Sequence, residues 1–135
     1  MAVILANGTS VTIDGVDFSN HITSCTVNRA FDEVEVTAMG DSSHVFAKGL
    51  EANTITIDFL NDYASASVNA KLSAKFGQVV VVVAKPTAGA VSATNPSYTG
   101  SVLINNTTPI NGGVGDLATQ SVTWNYTTTI TEAVA

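Results

Sequence analysis

The residues best suited to chemistry in this chain are two carboxylates, Glu33 and Glu35, and a few soft or imidazole side chains, His21, Cys25 and His44. A carboxylate pair can divide acid and base roles in glycoside hydrolysis, where the separation of the groups sets the stereochemistry. On a regular strand Glu33 and Glu35 share a face about 7 Å apart, but their neighbours read as an exposed acidic surface that would raise neither pKa. A structural zinc site wants about four Cys or His ligands in paired spacing. His21 and Cys25 lie four positions apart on what reads as strand, so both can point one way, yet a third ligand must come from a distant loop. Nucleophilic catalysis needs a base beside the nucleophile and a group orienting that base. The chain has many serines but no Gly-x-Ser-x-Gly elbow and only two histidines. Gly112-Gly113-Val114-Gly115 lies between β segments rather than opening a helix, so it lacks the helix N-terminus that phosphate cradles use and reads as a turn. These patterns describe a protein that is not an enzyme and carries no metal and no cofactor.

Composition points elsewhere. Only 12% of the 135 residues are charged, where a soluble domain averages about 25%. Hydroxyls fill the gap, with eighteen Thr and twelve Ser. Small monomers keep themselves dissolved with interspersed charges of both signs, so this surface is expected to meet copies of itself. The net charge of −6 excludes a basic nucleic-acid patch. No apolar run reaches the ~18 residues of a membrane span. Residues 1–8 lack the basic start of a signal peptide, and the single Cys25 forms no internal disulfide, as suits a protein made in a reducing cytoplasm.

The elements that would position these residues are mostly strands. Thr9–Asp14 alternates and ends in the hairpin signal Asp14-Gly15, with Val16-Asp17-Phe18 continuing. Ile22–Arg29 and Glu33–Ala38 read as strands bent around Phe31, with Val34 and Val36 opposite Glu33 and Glu35. In Asn53–Phe59, Ile55, Ile57 and Phe59 share a face opposite Thr54, Thr56 and Asp58. That period of two predicts sheets with one buried side. A helix is predicted over about 62–76, capped by Asn61 or Asp62, with Val68, Leu72 and Phe76 as its apolar stripe and Gly77 as its stop. Val79–Val83 reads as a strand buried on both faces, and Tyr98–Ile104 as the next. In the last strand, Ser121–Thr131, Val122, Trp124, Tyr126 and Ile130 point in, while Thr123, Asn125, Thr127, Thr129 and Thr131 point out. The whole reads as one domain over 1–135, a two-sheet antiparallel β-sandwich or barrel-like fold with one flanking helix. Between the strand patterns Glu33–Ala38 and Asn53–Phe59, residues 39–50 form a long hairpin loop carrying Val45, Phe46 and Leu50. Apolar residues in so long a loop ask for a function.

This segment resembles the tail tube (major tail) proteins of long-tailed bacteriophages. The residues that carry the resemblance are Asp-Glu-Val-Glu-Val-Thr (32–37), Met39-Gly40-Asp41-Ser42-Ser43, Gly49-Leu50 and Thr54-Ile55-Thr56-Ile57. A second stretch matches over Thr94-Asn-Pro-Ser-Tyr-Thr-Gly-Ser-Val-Leu103, Gly115-Asp116-Leu-Ala-Thr and Ser121-Val-Thr-Trp124. The resemblance implies a virion protein, made in the host bacterial cytoplasm, that self-assembles into stacked hexameric rings. The rings would form a tube around a tape-measure protein, joined by terminator and tip proteins, through which the genome passes without specific binding and without the subunit entering a membrane. It also implies that the 39–50 loop reaches a neighbouring subunit or ring, making Met39, Asp41, His44, Val45, Phe46, Lys48 and Leu50 the candidate interface. Residues 1–7 and 131–135 are candidate arms between rings. A wall that repels phosphate would speed transit, and Glu33, Glu35, Asp58 and Asp116 are the candidate lumen acids. The alternative is an immunoglobulin-like decoration, fibre or adhesion domain that binds a partner without making tubes, although the Cys…Trp…Cys pattern of true immunoglobulin domains is missing. Contractile tails and related non-viral injection devices fit the same pattern.

Overall fold

A computed structural model of the chain describes residues 8–65 and 67–135; the candidate arm at 1–7 lies outside them. Ten strands and one short helix follow in order: β1 (Ser10–Ile13), β2 (Val16–Asp17), β3 (Ile22–Asn28), β4 (Phe31–Glu35), β5 (Phe46–Glu51), β6 (Thr54–Leu60), α1 (Val68–Ala74), β7 (Val79–Lys85), β8 (Ser97–Leu103), β9 (Thr119–Asn125) and β10 (Thr131–Ala133). They form a five-stranded sheet in the order β10-β8-β7-β1-β2, a three-stranded sheet β3-β6-β9, and a two-stranded ribbon β4-β5. Every pairing is antiparallel. The chain is thus mainly β, two sheets with one helix, as its alternating pattern predicts.

The first hairpin turns as Asp-Gly dictates: Asp14 and Gly15 take positive φ of 51° and 80°, the geometry that matches strand twist in a two-residue connection. Val11, Ile13, Val80, Val82 and Val102 of the larger sheet pack against Ile55, Ile57, Phe59, Val122 and Trp124 of the smaller one. Burying each such side chain stabilises the fold by about 1.5–3 kcal/mol. Phe18 meets Phe59 edge to face at 6.3 Å, and Trp124 donates its indole N–H to the Asn106 carbonyl at 3.0 Å, so its one polar atom is satisfied. Val68 and Leu72 of α1 complete this core.

Four expectations need correction. The helix is Val68–Ala74 rather than 62–76. Asp62 instead organises the turn before it, accepting from the Ala64 N–H at 2.9 Å and the Ser67 hydroxyl at 2.9 Å. Phe76 falls beyond the last helical turn and is exposed, while Gly77 makes the stop with φ of 83°. The valine run is not doubly buried: Val80 and Val82 are inside, but Val79 and Val81 are 55% and 48% exposed. Valine's branched side chain favours strand whichever way it points, so a homopolymeric run hides the period of two. The last strand is two strands. It leaves β6 after Asn125 and re-enters the other sheet as β10, pairing with β8 from Thr131 to Ala133. Thr127 and Thr129 therefore lie in the crossing, and most of the candidate arm at 131–135 is an edge strand. Finally, the loop expected at 39–50 gives its second half to β5, which starts at Phe46.

Candidate assembly interface

The β4–β5 ribbon continues the three-stranded sheet past the end of the core. Pairing of Asn28 with Thr54 and of Phe31 with Glu51 keeps one register across the bend, with the Ala52 N–H bonded to the Ala30 carbonyl at 2.8 Å. Asn53 holds that bend. Buried itself, it accepts from the Ala30 N–H at 3.0 Å, donates to Glu51 at 3.2 Å, and offers its carbonyl to the Tyr126 N–H at 2.9 Å. There β9 departs, and the ribbon goes on with no third strand among the described residues.

No side chain of the ribbon is buried. A bulge between Phe31 and Glu33 shifts the register, so that Val34 faces Ala47, while the Val36 N–H bonds the Val45 carbonyl at 2.8 Å. The extra residue lies in β5, where Gly49 and Leu50 stand against Asp32 alone. Val34, Val36, Val45 and Ala47 therefore line one side of the ribbon with Asp32 and Gly49. Phe31, Glu33, Glu35, Phe46 and Lys48 share the other side with Glu51, the side that continues the core face. Val34 and Val36 were expected to be a buried strand face; they are 51% and 50% exposed. Their apolar side is intact, and among the described residues nothing covers it.

The outer face of the three-stranded sheet, which the Val34 side of the ribbon continues, is polar. Ser24, Thr26 and Asn28 of β3 flank Asp58, Thr56 and Thr54 of β6, which flank Ser121, Thr123 and Asn125 of β9. The Thr56 and Thr123 hydroxyls meet at 3.2 Å. Because β5 carries the bulge, this face does not pass to Lys48 and Phe46, which oppose Glu33 and Glu35 on the polar side of the ribbon, with Lys48 over Phe31. Asp58 thus lies on the hydroxyl-rich face and Glu33 and Glu35 on the opposite side of the ribbon, and all three lie on these strands. Asp116 does not: it sits in the β8–β9 loop, accepting from the Gly113 N–H at 3.3 Å.

The ribbon tip is organised by hydrogen bonds. The Glu35 carboxylate accepts from Thr37 at 2.9 Å and contacts His44 Nδ1 at 2.7 Å, and Thr37 in turn accepts from the Val45 N–H at 2.9 Å. His44, followed by Thr37, holds the Glu35 carboxyl below its ordinary value. Asp41 accepts from the Ala38 N–H at 2.7 Å, closing a turn that Gly40 permits with φ of 94°. Lys48 lies 4.9 Å over the Phe31 ring. The candidate loop residues consequently divide. Met39 and Asp41 cap the tip, His44, Phe46, Lys48 and Leu50 belong to the polar side, and Val45 belongs to the apolar side.

The residues considered for metal binding stay apart in role. Cys25 pairs with Ile57 and packs toward the core, where burial pushes its thiol up to about 11, whereas His21 contacts Asp62 at 3.1 Å. Among the described residues no three His, Cys, Asp or Glu side chains group to hold a metal ion. Sequence reasoning missed Asn53, which carries no motif. It also missed the exposed Ile110, Val114 and Leu117 of the β8–β9 loop, whose lack of periodicity gives no signal.

No family model and no curated protein sequence matches the chain. Solved structures do. A chain in the virion of a native gene transfer agent particle superposes with a TM-score of 0.78 over 98% of this chain and 100% of its own, at 11% identity. A chain in the six-fold symmetrised cryo-EM structure of the anti-feeding prophage baseplate gives 0.59 over 99% and 98%, at 9% identity. The likeness is one of fold, and it runs the full length of all three chains.

Proposed function

We propose that this chain is a structural virion protein that self-assembles into stacked hexameric rings, the tube of a phage-type tail and the conduit for its genome. The observation that carries this reading is the ribbon: a sheet extension with an intact apolar side that its own core does not cover. A monomer gains nothing from such a side, because exposed valine and phenylalanine on an unpaired strand edge invite aggregation. A subunit whose neighbour covers it gains both burial and edge pairing, and closing sheets between subunits abolishes the open edges. Support also comes from the company of the fold, one neighbour being part of a virion and the other of a baseplate with six-fold symmetry.

In this reading the hydroxyl-rich face is the wall. It presents hydroxyls and carboxamides with Asp58 as its carboxylate, while Glu33 and Glu35 lie on the other side of the ribbon. Phosphate would be repelled weakly along its length and held nowhere. The tape-measure protein occupies this channel before the genome does, terminator and tip proteins close its ends, and the finished protein resides in the virion.

Size-exclusion chromatography and negative-stain imaging of the purified chain test the reading. Rings or tubes from the wild type, and single chains from a Val34→Ser, Val36→Ser double variant, are the expected result. A wild type that stays monomeric at high concentration, with and without tail partners, would leave the partner-binding alternative in its place.

A further inference from the structure

Resting on the reading of the chain as a self-assembling subunit, we propose that the apolar side of the β4–β5 ribbon of one copy docks on the outer face of strand β7 in the next copy. Alternation along β7 puts Val79, Val81, Val83 and Lys85 on the side away from the core, with Leu103 of β8 opposite Val79. Val79, Val81 and Leu103 are exposed. This is a second apolar surface, on a different sheet from the ribbon.

Charge distinguishes the two surfaces. The ribbon and its tip carry Asp32, Glu33, Glu35, Asp41 and Glu51 against Lys48, five carboxylates to one ammonium. Around the β7 face the balance reverses. Asp14 donates its backbone N–H to the Val81 carbonyl at 2.8 Å, and its carboxylate receives both Lys71 at 3.0 Å and Lys75 at 3.4 Å. Two ammonium groups on one carboxylate leave one positive charge unmatched. Lys85 adds a third cation at the far end of the strand, with Asp17 nearby enough to feel it. Three of the five basic residues of the chain thus border this one face.

Ribbon against ribbon would set acids against acids, and β7 against β7 would set lysines against lysines. Only the mixed contact joins apolar to apolar with opposite charge at the rim, the arrangement that gives register and excludes wrong partners. Because it uses two different surfaces, each copy offers a ribbon to one neighbour and a β7 face to another, so the contact propagates.

Cysteine cross-linking in a Cys25→Ala background tests the contact. Val36→Cys and Val81→Cys are made as separate proteins at exposed positions and mixed under mild oxidation. A disulfide-linked heterodimer from the mixture, and none from either protein alone, is expected. Tubes that form without the mixed cross-link, or Val36→Cys chains that link to each other, would overturn the contact while leaving the tube reading standing; a wild type that never assembles would remove both. Charge exchange gives a second measurement. Asp32, which shares the Val34 side of the ribbon, supplies the acid: Asp32→Lys alone and Lys75→Glu alone should each raise the concentration needed for assembly about tenfold, and mixing the two should restore it, because each mixed contact again joins opposite charges. Failure of the mixture to recover also overturns the proposal.

Discussion

The ring of Tyr126 lies directly over Gly100, so close that a Cβ at position 100 would stand 2.6 Å from Cδ1 and 2.7 Å from Cε1. Tyr126 is the residue at which the chain leaves the three-stranded sheet, bridging Val102 on its way to the other. The missing side chain on β8 is the space in which the two sheets are joined. Gly100→Ala forces the ring aside, and overpacking of this kind costs about 1–3 kcal/mol; a lower urea midpoint with an unchanged slope is the expected outcome. Burial pushes the Tyr126 phenol up to about 12, and among the described residues its hydroxyl has no partner. Tyr126→Phe should therefore leave stability unchanged or raise it, since it removes a desolvated group that bonds nothing.

Val68 is fully buried at the start of α1. Val68→Asp places a carboxylate at a fully buried position of the apolar core, a change that ordinarily costs several kcal/mol out of a total of about 5–15. Loss of the β-sheet circular dichroism signal in the purified variant is expected.

Deleting Gly40–Lys48 should have the opposite character. It removes the tip and half of β5, none of whose side chains is buried. The body keeps its core, so a cooperative thermal transition survives while assembly is lost. Tubes of normal length from this variant, seen by electron microscopy, would contradict the role given to the ribbon.

Acid should loosen the chain in a definite window. Lys71, with Lys75 beside it, holds the Asp14 carboxyl below its ordinary 3.8, and His44 and Thr37 hold Glu35 below its ordinary 4.5. Both folded values are depressed, so these groups support the fold above their ordinary values and lose that support as pH falls through the lower folded ones. Stability should be level from neutrality to about pH 4.5 and decline below it. In carboxyl NMR titrations, Lys71→Ala should move Asp14 up toward its ordinary value and His44→Ala should do the same for Glu35.

In the proposed tube, Asp58→Lys reverses the sign of the acid on the hydroxyl-rich face without touching a core side chain. In an infectious particle it should slow or block genome delivery while leaving assembled tails visible. Delivery at the wild-type rate would count against that face as the proposed wall.

Much of this architecture is legible in the sequence. Ile55, Ile57 and Phe59 announce a strand with one buried side, and Asp14-Gly15 announces its turn, because in both cases the signal and its cause lie within a few residues. The five valines mislead for the converse reason: a run of one residue type carries propensity but no phase. The end of the helix at Ala74 and the break at Tyr126 depend on what packs against them, and Gly100, which opens the room for the break, lies 26 positions away from Tyr126. The ribbon shows the same limit most clearly. Val34 and Val36 have the alternation of a buried strand, and only the position of the core reveals that no other described residue covers them.

The direction in which that ribbon projects is set by very little. One carboxamide at position 53, tied to Ala30 on one arm and Glu51 on the other, governs the elbow. In the ring proposed above, a few degrees at each elbow would accumulate around the circle. Replacing Asn53 should therefore leave the fold of the body recognisable and change how many copies that ring takes to close, making the width of the proposed bore depend on a single side chain.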